Sequence, residues 1–549
     1  MTSAAEFLTH EVTNQAPPIG HYNAWLTDNA LREAVAREGG AWAERELAAF
    51  GEVAGGELMD LGYVANENPP KLRSFDRYGN RTDEVEFHPA YHRVMELGMR
   101  HGVHAFAWRH ADRPGAHVAR AAISYLHMQA EAGTGCPLTM THSAIPALRH
   151  SPEIARDWIP RITSLDYDPR VLPAAHKAGC TIGMGMTEKQ GGSDVRANTT
   201  RAVRQPDGSY EIVGHKWFFS APMCDAWLVL AYVDAGLTCF LMPKLRPDGS
   251  RNAIRIQRLK DKLGDRSNAS SEVEFLGAWA QRLGDEGRGV ATILEMVALT
   301  RLDCMIGSSA LMRQACVQAL HHAQHRKVFG KILVDQPLMQ NVLADLALES
   351  EAAIALTIRV ARAVDASGRD PAQAAFARIA TAIGKYWICK RTPVLVNEAQ
   401  ECLGGLGYVE ESNLPRLYRQ APLNSIWEGS GNIQCLDVLR ALGKEPETRE
   451  ALFAELLAAR GLDSSLDQEL HWLNEAFDER TTLEGRSRMV VERTALALQA
   501  SLLLRAGNED VARSFCRSRL GGEHGLAFGT LPADLPLRAL IDRASIATP

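Results

Sequence analysis

Gly183-Met184-Gly185-Met186-Thr187-Glu188-Lys189-Gln190-Gly191-Gly192-Ser193-Asp194-Val195 is where this chain changes its period. Before it, segments such as Leu31-Arg32-Glu33-Ala34-Val35 and Val118-Ala119-Arg120-Ala121-Ala122-Ile123 read as helix, broken at Asn68-Pro69-Pro70 and Arg113-Pro114-Gly115. After it, the runs Ser209 to Val213, Ala226 to Leu230 and Ser271 to Phe275 are strand-like, and the turns Pro206-Asp207-Gly208 and Pro247-Asp248-Gly249 between strand candidates indicate antiparallel sheet. The expectation is a helical domain over 1–178 followed by a small β-barrel or sandwich over 179–284.

Helical periodicity returns beyond Glu286, over Val290 to Gln324, Leu338 to Ala366 and Pro371 to Leu403. With a shorter helix after Glu428 these predict an antiparallel four-helix bundle over 285–443. Gly443-Lys444-Glu445-Pro446 then sets off a helical tail, 444–549. The fold class is mainly α with a central antiparallel β domain and an extra C-terminal helical domain.

With 549 residues, 46% hydrophobic and 23% charged content, the chain has a globular composition, and its formal net charge of -6 gives no global reason to expect a nucleic-acid binder. Ten scattered cysteines without a C-x-x-C pair suit free thiols in a reducing compartment. Met1 to Pro18 is polar without an apolar signal core, and no apolar run reaches the ~20 residues of a membrane span, so a cytoplasmic protein is expected. His88, His92, His101, His104 and His110 include pairs at helical spacing, but no third ligand follows, and they read as surface or hydrogen-bonded histidines; no metal site is expected.

Ile426-Trp427-Glu428-Gly429-Ser430-Gly431-Asn432-Ile433-Gln434 places one carboxylate between an aromatic, which can keep water off, and glycines that let backbone approach a ligand. A helix starts at once (Ile433, Leu436, Leu439, Leu442), so N–H groups can face an anion. A general base is the natural role for Glu428; a surface helix cap is the alternative. In Gly214-His215-Lys216-Trp217-Phe218-Phe219-Ser220, strand alternation sends Phe218 and Ser220 to one face and Trp217 and Phe219 to the other, and one face can stack on a flat cofactor.

Taken in order, these segments resemble the acyl-CoA dehydrogenase family over nearly all of residues 1–443. Met186-Thr187-Glu188 to Gly192-Ser193-Asp194 resembles the family's T-E-x-x-x-G-S-D flavin loop, and Lys216 to Ser220 its second flavin-contact strand. Arg326-Lys327-Val328-Phe329-Gly330-Lys331 with Gln336 is similar to the segment that reaches a neighbouring subunit's FAD, and Glu401 to Tyr408 to the G-G-x-G stretch near the adenosine end. Trp427-Glu428-Gly429-Ser430 falls where the family keeps its catalytic base.

The resemblance implies Glu428 as base, with Met184, Met186, Thr187, Gly192, Ser193, Phe218, Phe219, Ser220, Arg326, Phe329, Gln336, Gly404, Gly405, Trp427, Ser430 and Asn432 around the flavin. It assigns the thioester-oxygen donors to the Glu428 N–H and a flavin ribityl hydroxyl. Arg301 stands at the family's substrate-side arginine; an ion pair with Asp303 or a neighbour is the other reading.

Lys189-Gln190 in place of a proline-containing pair, Trp427 in place of tyrosine and the long tail point to a branch tied to the response to alkylation damage. That branch implies FAD, a homotetramer, weak activity on short branched acyl-CoA, and sequence-nonspecific binding of double-stranded DNA by the tail. From Pro446 to Pro549 there are twelve Arg, no Lys and sixteen acidic residues, so the tail as a whole is not basic. Within Arg480 to Arg519, however, eight Arg face four acidic residues, and Arg486, Arg488, Arg493, Arg513, Arg517 and Arg519 are expected to line a phosphate-binding side; a helical face in an oligomer interface is the alternative.

Overall fold

A computed structural model of the chain describes residues 9–546; residues 1–8 of the polar N-terminal stretch lie outside them. The N-terminal helices match the expected period, and the longer ones, Ala116–Ala130 and Gly135–Leu148, are buried almost throughout. One element departs from expectation. Lys71–Phe75 (β1) and Arg81–Glu86 (β2) form an antiparallel hairpin inside the otherwise helical region. Its turn is held by Asp76, whose carboxylate accepts from the Tyr78 and Asn80 N–H groups.

The middle domain contains β3 (Ile182–Gly185), β4 (Arg201–Arg204), β5 (Tyr210–Ser220), β6 (Ala226–Val233), β7 (Gly236–Pro243), β8 (Ile254–Leu259) and β9 (Ser270–Leu283). The order β3-β6-β4-β5-β9-β7, with β6 also paired to β7, closes a barrel, and β8 adds to β9. The all-antiparallel expectation needs correction, because β3 and β4 both run parallel to β6. The Pro206-Asp207-Gly208 turn joins β4 to β5 as expected. Pro247-Asp248-Gly249 closes only a small loop bridged by Leu245 and Arg251, and β7 and β8 do not pair.

Gly289–His325, Pro337–Ala366, Pro371–Cys402 and Gly431–Lys444 supply the expected bundle helices. The first three lack a single polar stripe because the bundle, the N-terminal helices and the tail surround them. One apolar core runs through all three regions, from Trp25 and Phe50 through Met305 and Phe376 to Phe515 and Ile541. A second core fills the barrel and its contact with the Gly135–Leu148 helix. The site lies where the two cores meet.

Candidate active site

Glu428 sits in a turn held from three sides. Its backbone is left-handed (φ 57°), a conformation that costs a non-glycine residue energy and persists only where its surroundings enforce it. Arg301 Nε donates to the Glu428 carbonyl at 3.0 Å, and Gln434 Nε2 donates to the Glu428 and Gly429 carbonyls at 3.1 and 2.9 Å. The buried Lys385 ammonium donates to the Asn424 and Gly429 carbonyls at 3.1 and 2.7 Å, tying the turn's two ends together. Gly429 follows at φ 97°, and a Cβ there would lie 2.7 Å from Gln434 Nε2, so a side chain would displace one of these clamps.

The carboxylate accepts from Thr300 Oγ1 at 2.8 Å. Withdrawal from water pushes its proton affinity above the ordinary carboxylate range, against the lowering effect of the Thr300 hydrogen bond and of Lys385 and Arg301. The Glu428 N–H donates no hydrogen bond among the described residues, which leaves it free to act on a ligand oxygen. Trp427 is fixed by its own Nε1–H to Asn424 Oδ1, 2.9 Å.

Glu428 and Trp427 border a narrow cavity of about 50 Å³ between the Gly135–Leu148 and Gly289–His325 helices and the end of β5. Ser220 enters it from the barrel, Cys136, Cys304 and Leu311 make it largely apolar, and Met128 is part of its wall. Cβ atoms built on Gly135 and Gly307 would lie 2.9 Å from the Met128 side chain, so these two glycines make room for it. A second carboxyl, Asp265, also lines the cavity from a left-handed position (φ 49°), and burial pushes it up to about 6.

The barrel presents the remaining expected flavin residues, with two corrections. A bulge in β5 opposite β9, between Lys216 and Phe219, breaks simple alternation. Trp217 and Phe218 therefore both turn outward, Phe218 being 49% exposed, while Phe219 is fully buried against Trp227 and Phe275. Met184 likewise belongs to the barrel core, and Met186 packs against it. Neither Phe219 nor Met184 offers a side chain to a cofactor.

Thr187 is brought to β5 by its carbonyl, which accepts from the Trp217 N–H at 2.8 Å, and by the buried Glu188–Lys216 pair, 2.8 Å. Gly192 folds onto Thr187 so closely that a Cβ would meet its Oγ1 at 2.3 Å, and Ser193 stays exposed.

Arg326, Phe329, Gln336, Gly404 and Gly405 line no part of the cavity. Phe329 and Gly330 form the tip of a hairpin between Lys327–Val328 and Lys331–Ile332, both with positive φ, and Phe329 is 94% exposed. Gln336 supports this hairpin through Val328, and Arg326 binds the Asn14 carbonyl. Gly404 and Gly405 are exposed beyond the Pro371–Cys402 helix. Ser430 and Asn432 are exposed at the start of the Gly431–Lys444 helix.

Arg301 takes the ion-pair reading with a neighbour: its Nε donates to the Glu428 carbonyl at 3.0 Å and its Nη1 to Asp437 at 2.7 Å, which makes it a positioning residue for the turn. Asp303 pairs with Arg120 instead, fully buried, and also accepts from Thr139.

Most of the tail arginines stand in ion pairs. Arg519 is buried against Asp345 and Glu349 of the bundle; Arg517 is forked between Glu523 and Asp534; Arg493 pairs with Glu469 and stacks on Trp472; Arg486 binds Glu479. Arg488 donates to Asn432 at 2.8 Å. Arg513 is exposed without an ion-pair partner among the described residues. Only Arg519 is held by almost fully buried carboxylates; the Arg486 and Arg517 pairs are solvent-exposed, and phosphate would compete with them.

The histidines are structural: His92 meets the Tyr167 hydroxyl at 2.8 Å, buried His104 the Ser164 carbonyl at 2.9 Å, and His88 caps the Pro89–Arg100 helix. Thr300, Lys385, Asn424 and Asp265 are the site residues that sequence reasoning missed. Thr300 stands next to Arg301, but a single threonine or lysine in a long helix carries no signal of the distant turn it touches.

Comparison with known proteins gives the family. Residues 183–277 match the acyl-CoA dehydrogenase middle domain and residues 287–443 its C-terminal domain. The chain belongs to the acyl-CoA dehydrogenase family and is an FAD-dependent oxidoreductase of that type. Within the family it has the AidB architecture: residues 14–169 match the adaptive response protein AidB N-terminal domain, and the chain is 48% identical to AidB of Escherichia coli K12 over 97% of its own length and 98% of that protein.

Among solved structures, Caenorhabditis elegans ACDH-11 in complex with C11-CoA superposes with a TM-score of 0.84 at 26% identity, covering 99% of this chain and 98% of that one. An acyl-CoA dehydrogenase from Bacillus anthracis complexed with FAD shares the fold, with a TM-score of 0.63 at 17% identity over 83% of this chain and 86% of that one.

Proposed function

We propose that the protein oxidises a short, branched acyl-CoA at the α,β-position, with Glu428 as the base that takes the α-proton. The observation that carries this reading is the Glu428 turn: a strained, clamped carboxylate of raised proton affinity beside a narrow apolar cavity, with its own N–H unpaired. An α-proton is too weakly acidic for a carboxylate unless the developing enolate is stabilised, and the free Glu428 N–H supplies one donor for the thioester oxygen.

FAD, when bound, supplies the hydride acceptor for the β-hydrogen. The exposed face of Phe218, the hydroxyls of Thr187, Ser193 and Ser220, and the close-packed Gly192 fit the ring and its polar edge. Arg326, Phe329 and Gln336 would serve a neighbouring subunit's cofactor in a homotetramer. The exposed Phe329, Leu338 (84%) and Tyr408 (87%) support such an assembly, since apolar surface of this kind is normally covered. Purified protein should be yellow; colourless protein that takes up no added FAD would contradict the assignment.

Met128 limits the acyl length, because it lines the narrow cavity and is packed against Gly135 and Gly307. Met128→Ala is expected to move the preference towards longer chains, by about tenfold for one or two added methylenes at ~0.8 kcal/mol each. An unchanged ratio of kcat/KM between isovaleryl-CoA and octanoyl-CoA would place the acyl chain elsewhere.

The base also fixes the pH behaviour. Only the carboxylate accepts a proton, so flavin reduction should fall as pH drops through the raised Glu428 pKa. Thr300→Val removes a contact that lowers this pKa, so the acid limb should move to higher pH. An acid limb at the same pH in both proteins would show that the Thr300 hydrogen bond does not tune the base.

The ten cysteines are all free and buried, which suits a cytoplasmic setting. No helix among the described residues is long and apolar enough to cross a membrane. A DNA-associated role in the alkylation response, which the family branch implies, would have to use Arg488, Arg513 and surfaces outside the paired arginines.

A further inference from the structure

The cavity beside Glu428 is lined by three carboxyl groups, Glu428, Asp303 and Asp265. Two of them are matched: Glu428 accepts from Thr300, and Asp303 from Arg120 and Thr139. Asp265 is not. It is only 6% exposed, yet among the described residues its carboxyl accepts no hydrogen bond and has no cation within ion-pair distance. Lys262, whose charge acts on Asp265 from further off, donates to Ser270 Oγ at 3.4 Å.

The carboxyl is also open to the cavity. Its oxygens keep accessible surface there, unlike wholly enclosed polar atoms such as Gln420 Nε2 on the same wall. Its position is enforced by the backbone. Asp265 is left-handed (φ 49°), and the preceding Gly264 is packed so tightly on the Leu414–Gln420 helix that a Cβ would lie 2.5 Å from the Arg419 carbonyl oxygen. Strain that tight packing holds in place at a ligand cavity is the pattern of a functional position.

Burial pushes Asp265 up to about 6, although Lys262 and Arg416 oppose the rise, so above that pH an anion stands in the cavity with no donor. Buried polar groups are nearly always paired, and a carboxylate accepts hydrogen bonds without being able to give one. What is missing at Asp265 is therefore a donor, and the cavity leaves the ligand to bring it.

We propose that Asp265 is a specificity-determining residue that accepts a hydrogen bond from a hydroxyl on the acyl group, so that the preferred substrate is a short, branched acyl-CoA hydroxylated beyond its β-carbon. The inference rests on the reading of this cavity as the acyl pocket. In that reading the α-carbon meets Glu428 and the β-hydrogen meets the flavin, which leaves the γ-carbon to carry the donor. A neutral hydroxyl suits the site better than an ammonium, because Lys262 and Arg416 already offset the charge of Asp265.

The test compares trans-4-hydroxy-3-methylbut-2-enoyl-CoA with its methyl isostere, trans-3-methylpent-2-enoyl-CoA, by calorimetry on the oxidised, FAD-loaded protein. As dehydrogenation products, both bind without turnover. Wild type should bind the hydroxylated thioester about tenfold or more tightly than the isostere, as a charge-assisted hydrogen bond provides. Asp265→Ala should bring the two within about threefold of each other. Asp265→Asn, which tolerates the left-handed backbone and keeps a neutral acceptor, should retain part of the preference while losing about threefold or more of it.

Equal or tighter binding of the isostere to wild type overturns the proposal, as does a preference that survives undiminished in Asp265→Asn. Flavin bleaching by isovaleryl-CoA is recorded on the same wild-type protein. Bleaching without a hydroxyl preference removes this inference and leaves the dehydrogenase reading intact; a hydroxyl preference without bleaching does the reverse. No binding of either thioester at millimolar concentration removes the acyl pocket, and the inference falls with it.

Discussion

Glu428→Gln is expected to slow flavin reduction by any accepted acyl-CoA by about 10²- to 10⁴-fold while leaving FAD in place. The amide keeps the shape and can still accept from Thr300, and the turn is held through the carbonyls of Asn424, Glu428 and Gly429, none of which the substitution touches. What is lost is the ability to take a proton. The same change should not lower stability at neutral pH. The folded protein raises this pKa above its ordinary value, so the fold disfavours the ionised form, and that penalty is felt as pH rises above the unfolded pKa. A stopped-flow trace of flavin bleaching gives the rate, and a melting curve of the same sample gives the stability. Unchanged bleaching kinetics would place the base elsewhere; a large drop in Tm at pH 7 would mean that the carboxylate charge serves the fold.

Arg519→Ala is expected to cost about 3–5 kcal/mol, the usual result of removing one partner from a buried ion pair. Arg519 reaches from the tail into the bundle, where Asp345 and Glu349 are almost fully buried. Burial alone would raise both carboxyls; His524 and Arg519 at Asp345, and Arg391 and Arg519 at Glu349, hold them below the ordinary range instead. Carboxyls depressed in this way contribute stability above their unfolded pKa and lose it as pH falls through the folded value, so the tail should release in acid.

The exposed Arg513→Ala should stay within about 0.5 kcal/mol of wild type. Chemical denaturation of the three proteins checks both effects. DNA affinity and its salt slope should be the same for Arg517→Ala and wild type, since Arg517 is already forked between two carboxylates. A slope shallower by about one unit would restore Arg517 as a phosphate contact.

Much of the fold was legible because its signals are local. Helices of 30 residues and more in the bundle, Pro206-Asp207-Gly208 at a hairpin and the glycines around Glu428 each act within a few residues of themselves. The β1–β2 hairpin was not read, although Asp76 to Asn80 has turn chemistry, because its strands are short, polar and set among helices. The parallel partners of β6 were hidden because strand order depends on closure of the barrel, which no single strand records.

At the site, the base and its aromatic neighbour could be read from one motif, whereas the clamps Thr300, Arg301 and Lys385 come from two other helices, 44 to 128 positions away in sequence. Strand alternation failed at Trp217, which the bulge between Lys216 and Phe219 turns outward with Phe218, whereas Phe218 and Phe219 do take opposite faces. The pairing in the tail was hidden for a different reason. A count of arginines does not register carboxylates contributed by other helices, and Asp345, Glu349 and Glu469 neutralise the residues that made the segment look basic.

The most direct measurement is anaerobic titration of the FAD-loaded protein with isovaleryl-CoA, followed through the flavin absorption near 450 nm. Bleaching that saturates with added thioester, and is absent in Glu428→Gln, is the expected result; a flavin that stays oxidised with isovaleryl-CoA and with every other saturated acyl-CoA tried would contradict a dehydrogenase centred on Glu428.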